Sequence, residues 1–311
     1  MSSAIQIDHI HKQYEGLQAL GDISCTVEEG EIFGFIGPDG AGKTSLFRIL
    51  TTLILPDRGD AWMQDLHVVR EFRKVRKIVG YMPGQFSLYG DLSVEENLTF
   101  FATVFGTSVH SRYHLIRDIY EQIEPFRDRL AGKLSGGMKQ KLALSCALIH
   151  EPSILVLDEP TTGVDAISRR EFWELLIGLK AKGITILVST PYMDEAGRCD
   201  RVALIQKGSI LALDRPEEIV KDFGPEIKSV RAPQLYSVLK DLRKYERTCS
   251  VFTFGQDLHY TEKGGKVDSD RLNDFLLSRG HTEVKLRTIA PGIEDVFMRL
   301  MNKDTLHPDP D

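Results

Sequence analysis

Eight consecutive residues constrain this chain more than any others. Gly37-Pro38-Asp39-Gly40-Ala41-Gly42-Lys43-Thr44 fits the pattern GxxxxGK(S/T), follows the apolar run EIFGFI and opens the helical pattern SLFRIL. A strand, a glycine loop and a helix in that order make a phosphate cradle. Glycines let backbone N–H groups curl around phosphate oxygens, and the helix N-terminus adds partial positive charge. Lys43 is placed to reach the β- and γ-phosphates as a point charge, and the Thr44 hydroxyl to ligate Mg²⁺. Ser45, next on the helix, completes the nucleotide-binding candidates. Asp39 brings a carboxylate to a polyanion, so it either weakens binding modestly or points outward.

The surrounding pattern suits such a loop. AIQIDHI alternates as a strand does, Lys43 to about Leu53 reads as a helix, and PDRGD is a turn. A further strand, the basic helical segment VVREFRKVRK and the strand IVGYMP follow. From Ser93 to about His150 the pattern is mostly helical, opened by Ser93 and Glu96 as a capping box. SILVLDEP and ITILVST read as buried strands either side of the helix SRREFWELLIGLKAKG, and RVALIQKG with SILALD as a closing hairpin. Apolar strands alternating with helices imply a mostly parallel sheet covered on both faces, with a helical insertion. From about residue 226 the order reads β-α-β-β-α-β-α and carries no motif. The expected organisation is a nucleotide-binding domain over 1–222 with a helical subdomain at about 87–150, a small α+β domain over 226–304, and a frayed tail over 305–311.

An apolar strand ending in two acids supplies the second half of a phosphoryl-transfer site. ILVLDEP carries Asp158 toward the Mg²⁺ shell and Glu159 toward an attacking water. Shortly before it, Leu134-Ser135-Gly136-Gly137-Met138-Lys139-Gln140 opens the helical run KLALSCALIH. Ser135, Gly136 and Gly137 offer another helix N-terminus with bare N–H groups, hence another anion site. With three motifs in this order, residues 1 to about 222 resemble the ABC ATPase family, whose LSGGQ motif lies between its two NTPase motifs. The resemblance implies an α/β P-loop NTPase domain of ABC type with a helical subdomain, plus the small C-terminal α+β domain. It also implies head-to-tail dimerisation, each LSGG closing over the partner's ATP. Tyr14 falls where the family has its adenine-stacking aromatic; the alternative is a strand aromatic packed in the core. Thr161–Asp165 matches the loop after the catalytic glutamate.

Two family positions are missing. After GYMP the family carries a glutamine that touches Mg²⁺ and the nucleophilic water; here stands Gly84, with Gln85 next. After ITILVST it carries a histidine that contacts the γ-phosphate; here stands Pro191, which has no side-chain donor. MgATP binding is expected to survive and hydrolysis to be slow, each lost contact costing about 10²-fold. Two partnerships stay open: a second, complete ABC ATPase whose site this LSGG completes, or a homodimer in which Gln85 takes the vacant role. The segments FSLYGDLSVEENLTFFA and APGIEDVFMRLM resemble the ABC-2 exporter group, which implies efflux through an integral-membrane permease subunit. The loop Gln85–Tyr89, with Phe86, Leu88 and Tyr89, is then the coupling surface. His150, beside Glu151-Pro152 at a helix end, reads as structural.

Composition narrows the function class. A net charge of −6 gives no basic excess for nucleic acid, which is not an expected partner. Cysteines 25, 146, 199 and 249 stand singly with no CxxC pair, which fits a reducing compartment and neither a disulfide frame nor a zinc site. No run approaches the ~20 apolar residues that cross a bilayer, and the start lacks the features of a secretory signal. The expected place is therefore peripheral, at the cytoplasmic face of the membrane, through the permease. Glu159 favours a working export ATPase, whereas Gly84 and Pro191 favour a regulatory subunit that binds ATP with little turnover. A soluble ABC protein acting on DNA or ribosomes is disfavoured by the single compact cassette.

Overall fold

The turn Glu15-Gly16 separates the opening strands from the rest. Both residues have positive φ, 48° and 84°, the backbone of a tight hairpin that joins only antiparallel neighbours. In the computed structural model, which describes residues 3–306, β1 (Ser3–Tyr14) and β2 (Leu17–Glu28) accordingly pair antiparallel. After β3 (Ile32–Ile36) and α1 (Lys43–Leu50) the chain returns with β4 (Arg58–Met63) and β5 (Leu66–His67). These complete a four-stranded antiparallel sheet in the order β2-β1-β4-β5. The sequence pattern pointed to one mostly parallel sheet and gave no sign of this second one.

The parallel sheet lies beneath it in the same unit. The chain runs through α2 (Phe72–Ile78), β6 (Val79–Met82), α3 (Val94–Val104), α4 (Val109–Tyr120), α5 (Gly136–Leu148), β7 (Ile154–Asp158), α6 (Ala166–Ala181), β8 (Thr185–Thr190), β9 (Arg201–Gln206) and β10 (Ser209–Asp214). The strand order is β10-β9-β3-β8-β7-β6, all parallel except the β9–β10 hairpin. Every residue of β3, β7 and β8 is buried, as expected of strands covered on both faces. Phe33 and Phe35 of β3 and Phe47 of α1 pack ring to ring at 5.4 and 6.0 Å, each contributing about 1.5–3 kcal/mol by burial. Ser93 caps α3 through the expected box: its hydroxyl accepts the Glu96 N–H at 3.1 Å, and its own N–H donates to Glu96 Oε2 at 2.7 Å. Because β8 lies between β3 and β7, the carboxyl ends of the three strands meet along one edge, where open α/β sheets bind ligands.

The described residues part into two compact units between Pro216 and Glu217, within α7 (Pro216–Lys221). The second unit runs β11 (Ile227–Arg231), α8 (Leu235–Leu242), β12 (Thr248–Phe254), β13 (Asp257–Glu262), α9 (Ser269–Ser278), β14 (Lys285–Ile289) and α10 (Ile293–Leu306). Its sheet, β12-β13-β11-β14, is antiparallel throughout and has its own core around Leu242, Leu258, Tyr260 and Leu272. α10 continues to Leu306, across the first two residues of the tail expected over 305–311; residues 307–311 lie outside the described residues. Among the described residues no helix is long and apolar enough to cross a membrane.

Candidate functional site

The phosphate loop leaves the end of β3 and is shaped by its neighbours. A Cβ at Gly37 would come within 2.0 Å of the Ile205 carbonyl oxygen on β9, and one at Gly42 within 2.4 Å of the Ala19 carbonyl. Gly42 also has φ 103°, a conformation open only to glycine. The Gly37 N–H donates to the Thr190 carbonyl at 3.3 Å, which ties the loop to β8, and Ala41 N–H turns back to the Pro38 carbonyl at 3.2 Å. Asp39 is exposed, and Gly40 faces open space. Among the described residues the N–H groups of Gly42, Lys43, Thr44 and Ser45 make no hydrogen bond. Four free donors on a helix start fit a polyphosphate.

Lys43 joins this loop to the acid pair. Its side chain is 3% exposed, and Nζ donates to the carbonyls of Gly37 at 2.8 Å and Pro38 at 3.0 Å. The third direction meets Glu159 Oε1 at 3.2 Å. Asp158 ends β7 fully buried, and its Oδ1 accepts from the Ser189 hydroxyl at 2.6 Å. Glu159 turns the chain sharply with φ 50°, a strained conformation for a residue with a side chain. Its N–H donates to the Ser189 carbonyl at 3.1 Å and hydroxyl at 2.9 Å. Thr44 and Asp158 offer hard oxygen donors of the kind Mg²⁺ takes. Ser189, which bridges both acids, escaped the sequence analysis; its only signal is a hydroxyl inside the apolar run ITILVST.

The structure locates both departures at this edge. A Cβ at Gly84 would lie 3.1 Å from the Asp158 carbonyl oxygen and 3.8 Å from Glu159 Cβ, so position 84 abuts the acid pair and presents no side chain to it. Gln85 is exposed. Pro191 directly follows β8, half-buried and without a polar group. Tyr14, at the end of β1, is 41% exposed with Lys12 Nζ 5.5 Å from its ring centre. It is therefore not a core aromatic.

The LSGG segment is built separately. The Ser135 hydroxyl accepts the Met138 N–H at 3.4 Å and caps α5, while Ser135 and Gly136 stay exposed. A Cβ at Gly137 would meet the Ser168 hydroxyl at 2.7 Å, so close packing also calls for this glycine. No hydrogen bond or ion pair among the described residues joins Ser135, Gly136 or Gly137 to the phosphate loop. Beyond it, an apolar groove of 410 Å³ is lined by Leu53, Met82, Leu88, Phe101, Phe105 and His150. His150 stacks on Phe105 at 3.9 Å and bonds the Val79 carbonyl at 3.1 Å; burial holds its imidazole below its ordinary pKa. Its hydrogen bond therefore goes to β6 rather than to its own helix end.

The family model described as "ABC transporter" matches residues 20–162. The chain is 35% identical over 305 residues to the "Probable multidrug ABC transporter ATP-binding protein YbhF" of Escherichia coli (strain K12), an alignment that covers 96% of this chain and 52% of that one. The chain thus spans about half the length of that relative. It is 34% identical over 305 residues to the "Nod factor export ATP-binding protein I" of Bradyrhizobium diazoefficiens, covering 97% of each. Among solved structures, an ATP-binding subunit of an ABC transporter matches with a TM-score of 0.65 at 28% identity, over 71% of this chain and 94% of the other. The cassette MJ0796, in a dimeric post-hydrolysis state bound to ADP and Pi, shares the fold with a TM-score of 0.62 at 24% identity, over 68% and 98%.

Proposed function

Since the chain belongs to the ABC transporter family of ATP-binding proteins, with export proteins among its relatives, we propose that it hydrolyses MgATP to drive efflux through a separate membrane permease. The observation that carries this reading is the 3.2 Å approach of Lys43 to Glu159. A lysine that grips β- and γ-phosphates thereby sets Glu159 at the γ-phosphate end, where a carboxylate orients water and takes its proton. Gly37 to Ser45 hold the polyphosphate on free N–H groups, and Tyr14 supports the base. Thr44 and Asp158 would hold Mg²⁺, which when bound would neutralise charge on the transferred phosphoryl group.

Ser135, Gly136 and Gly137 close over the ATP of a second ABC ATPase, identical or different, in a head-to-tail dimer. The 410 Å³ groove, whose lining includes Leu88, receives a short apolar helix of the permease, and Phe86 and Tyr89, exposed on the same loop, add to the contact. That contact places the chain at the cytoplasmic face of the membrane. Hydrolysis at its own phosphate loop is slow, because position 84 has no side chain and Pro191 no donor. The same two residues favour the second reading, a regulatory subunit that holds nucleotide without turnover beside a complete ATPase.

Steady-state and single-turnover hydrolysis by the purified chain, with a fluorescent ATP analogue for binding, decide between these. Tight MgATP binding with slow turnover that Pro191→His accelerates supports the proposed motor with a degenerate site. Binding without any turnover, in both forms, supports the regulatory reading. No MgATP binding at all sinks both.

A further inference from the structure

Glu195 is as deeply buried as Asp158, at 3% against 2% exposure, yet the chemistry above leaves it without a task. It lies on a 3-10 turn, Met193–Arg198, after Pro191. A buried carboxylate is retained at a cost that an apolar residue of like volume avoids, so its contacts have to explain it. Oε2 accepts the Thr190 hydroxyl at 2.6 Å and the Thr161 hydroxyl at 3.1 Å. Oε1 faces Arg169 Nε at 3.4 Å and has no hydrogen-bond partner. Arg169 comes from α6, stacks over Tyr192 at 4.5 Å and also binds Asp194 at 2.7 Å.

The two threonines are not arbitrary neighbours. Thr190 ends β8, and its carbonyl receives the N–H of Gly37, the first residue of the phosphate loop. Its hydroxyl also accepts the Tyr192 N–H at 3.1 Å, which fixes the turn across Pro191. Thr161 follows Glu159 by two residues, and Glu159 keeps a strained φ of 50° that its surroundings must impose. One carboxylate oxygen therefore binds the strand end under the phosphate loop to the segment that aims Glu159. We infer that Glu195 is a positioning residue for hydrolysis: it fixes the separation between the phosphate loop and Glu159. Pro191 offers no side-chain contact that could do so from the same turn.

The inference rests on Glu159 as the water-activating carboxylate, and its test separates the two. In the full chain, single-turnover hydrolysis, MgATP affinity and melting temperature are measured for Thr161→Val, Thr190→Val, the double variant, Glu195→Gln, Glu195→Ala and Glu159→Gln. Each threonine variant should slow hydrolysis about tenfold, the scale of a small misplacement at a reacting centre, with MgATP affinity unchanged. The double variant should be little slower than the slower single one, since both act through one oxygen. Glu195→Gln, which keeps an oxygen for both hydroxyls, should retain more activity than Glu195→Ala. Unchanged rates in the threonine variants, or rates that fall only in step with affinity and melting temperature, overturn the positioning role. Glu159→Gln turning over at the parent rate overturns the reading of Glu159 instead, whatever the threonines do.

Discussion

The turn before α1 and the turn before α5 are built of the same materials and finished to different degrees. Each places glycines and a helix N-terminus where an anion can approach. The first is walled in: Gly37 and Gly42 are pressed against the carbonyls of Ile205 and Ala19, Lys43 is buried, and Glu159 stands 3.2 Å from its ammonium. The second has its serine hydroxyl engaged in a cap and its first glycine in the open. A cradle with a cation and an acid can do chemistry on what it binds. A bare helix start offers N–H groups alone, which suits the proposed role of covering an anion held by the other subunit of a dimer.

The contrast can be broken most sharply at Glu159. Glu159→Gln is expected to lower single-turnover hydrolysis by about 10²–10⁴-fold, the range of general-base catalysis, while calorimetric MgATP binding persists; lost binding would mean that the acid shapes the cradle. Next in size is Pro191→His, expected to raise turnover by about 10²-fold if the missing contact limits the rate. Pro191→His is cleaner than Gly84→Gln, whose Cβ would crowd the Asp158 carbonyl beside the acid pair at 3.1 Å. Gly42→Ala should destabilise the fold by about 1–3 kcal/mol in urea titrations, from its left-handed φ and its backbone clash. Gly136→Ala, 3.3 Å from the Gly163 carbonyl at ordinary φ, should leave stability nearly untouched. In a Glu159→Gln background, Gly136→Ala should nonetheless abolish ATP-dependent dimers in size-exclusion chromatography. If it also unfolds the chain, the second turn is as structural as the first.

Smaller still, Ser135→Ala should cost about 1 kcal/mol for the lost cap of α5. Smallest is a titration remote from both turns. Asp22 raises the pKa of exposed His9, first by a 2.5 Å hydrogen bond and then by its charge, with Asp8 adding to it. The pair stabilises the fold fully below the ordinary imidazole pKa of 6.5, and that contribution is lost as pH rises through the raised value. The melting-temperature gap between the parent chain and Asp22→Asn should therefore shrink as pH climbs past neutrality. A gap that stays constant with pH would show that the pair contributes no pH-dependent stability.

Much of the architecture was legible because it follows from local rules. Apolar strands before GPDGAGKT and DE, the Ser93 box, and the β9–β10 hairpin each announce themselves within about ten residues. The antiparallel sheet was not legible. Glu15-Gly16 is a weak turn signal, since nothing in a glutamate advertises a positive φ, and β2 alternates too irregularly to stand out. At the site, the residues proposed to hold phosphate belong to a contiguous sequence motif, whereas Ser189, Glu195 and Arg169 do not. Apart from the Thr190–Glu195 bond, five positions apart, their hydrogen bonds to other parts of the site span 25 to 34 positions, beyond the reach of any local pattern.

By itself, the sequence determined that the chain has a strand–glycine loop–helix cradle, an acid pair and an LSGG turn in that order. Backbone freedom and charge are properties of residues, and they can be read before anything folds. Only the tertiary structure decided that β8 lies between β3 and β7, so that Lys43 meets Glu159 and one buried carboxylate ties Thr161 to Thr190. The tertiary structure also decided that, among the described residues, no hydrogen bond or ion pair joins the LSGG turn to the phosphate loop. Those outcomes depend on which strands become neighbours, a choice made by the packing of apolar faces from the whole unit.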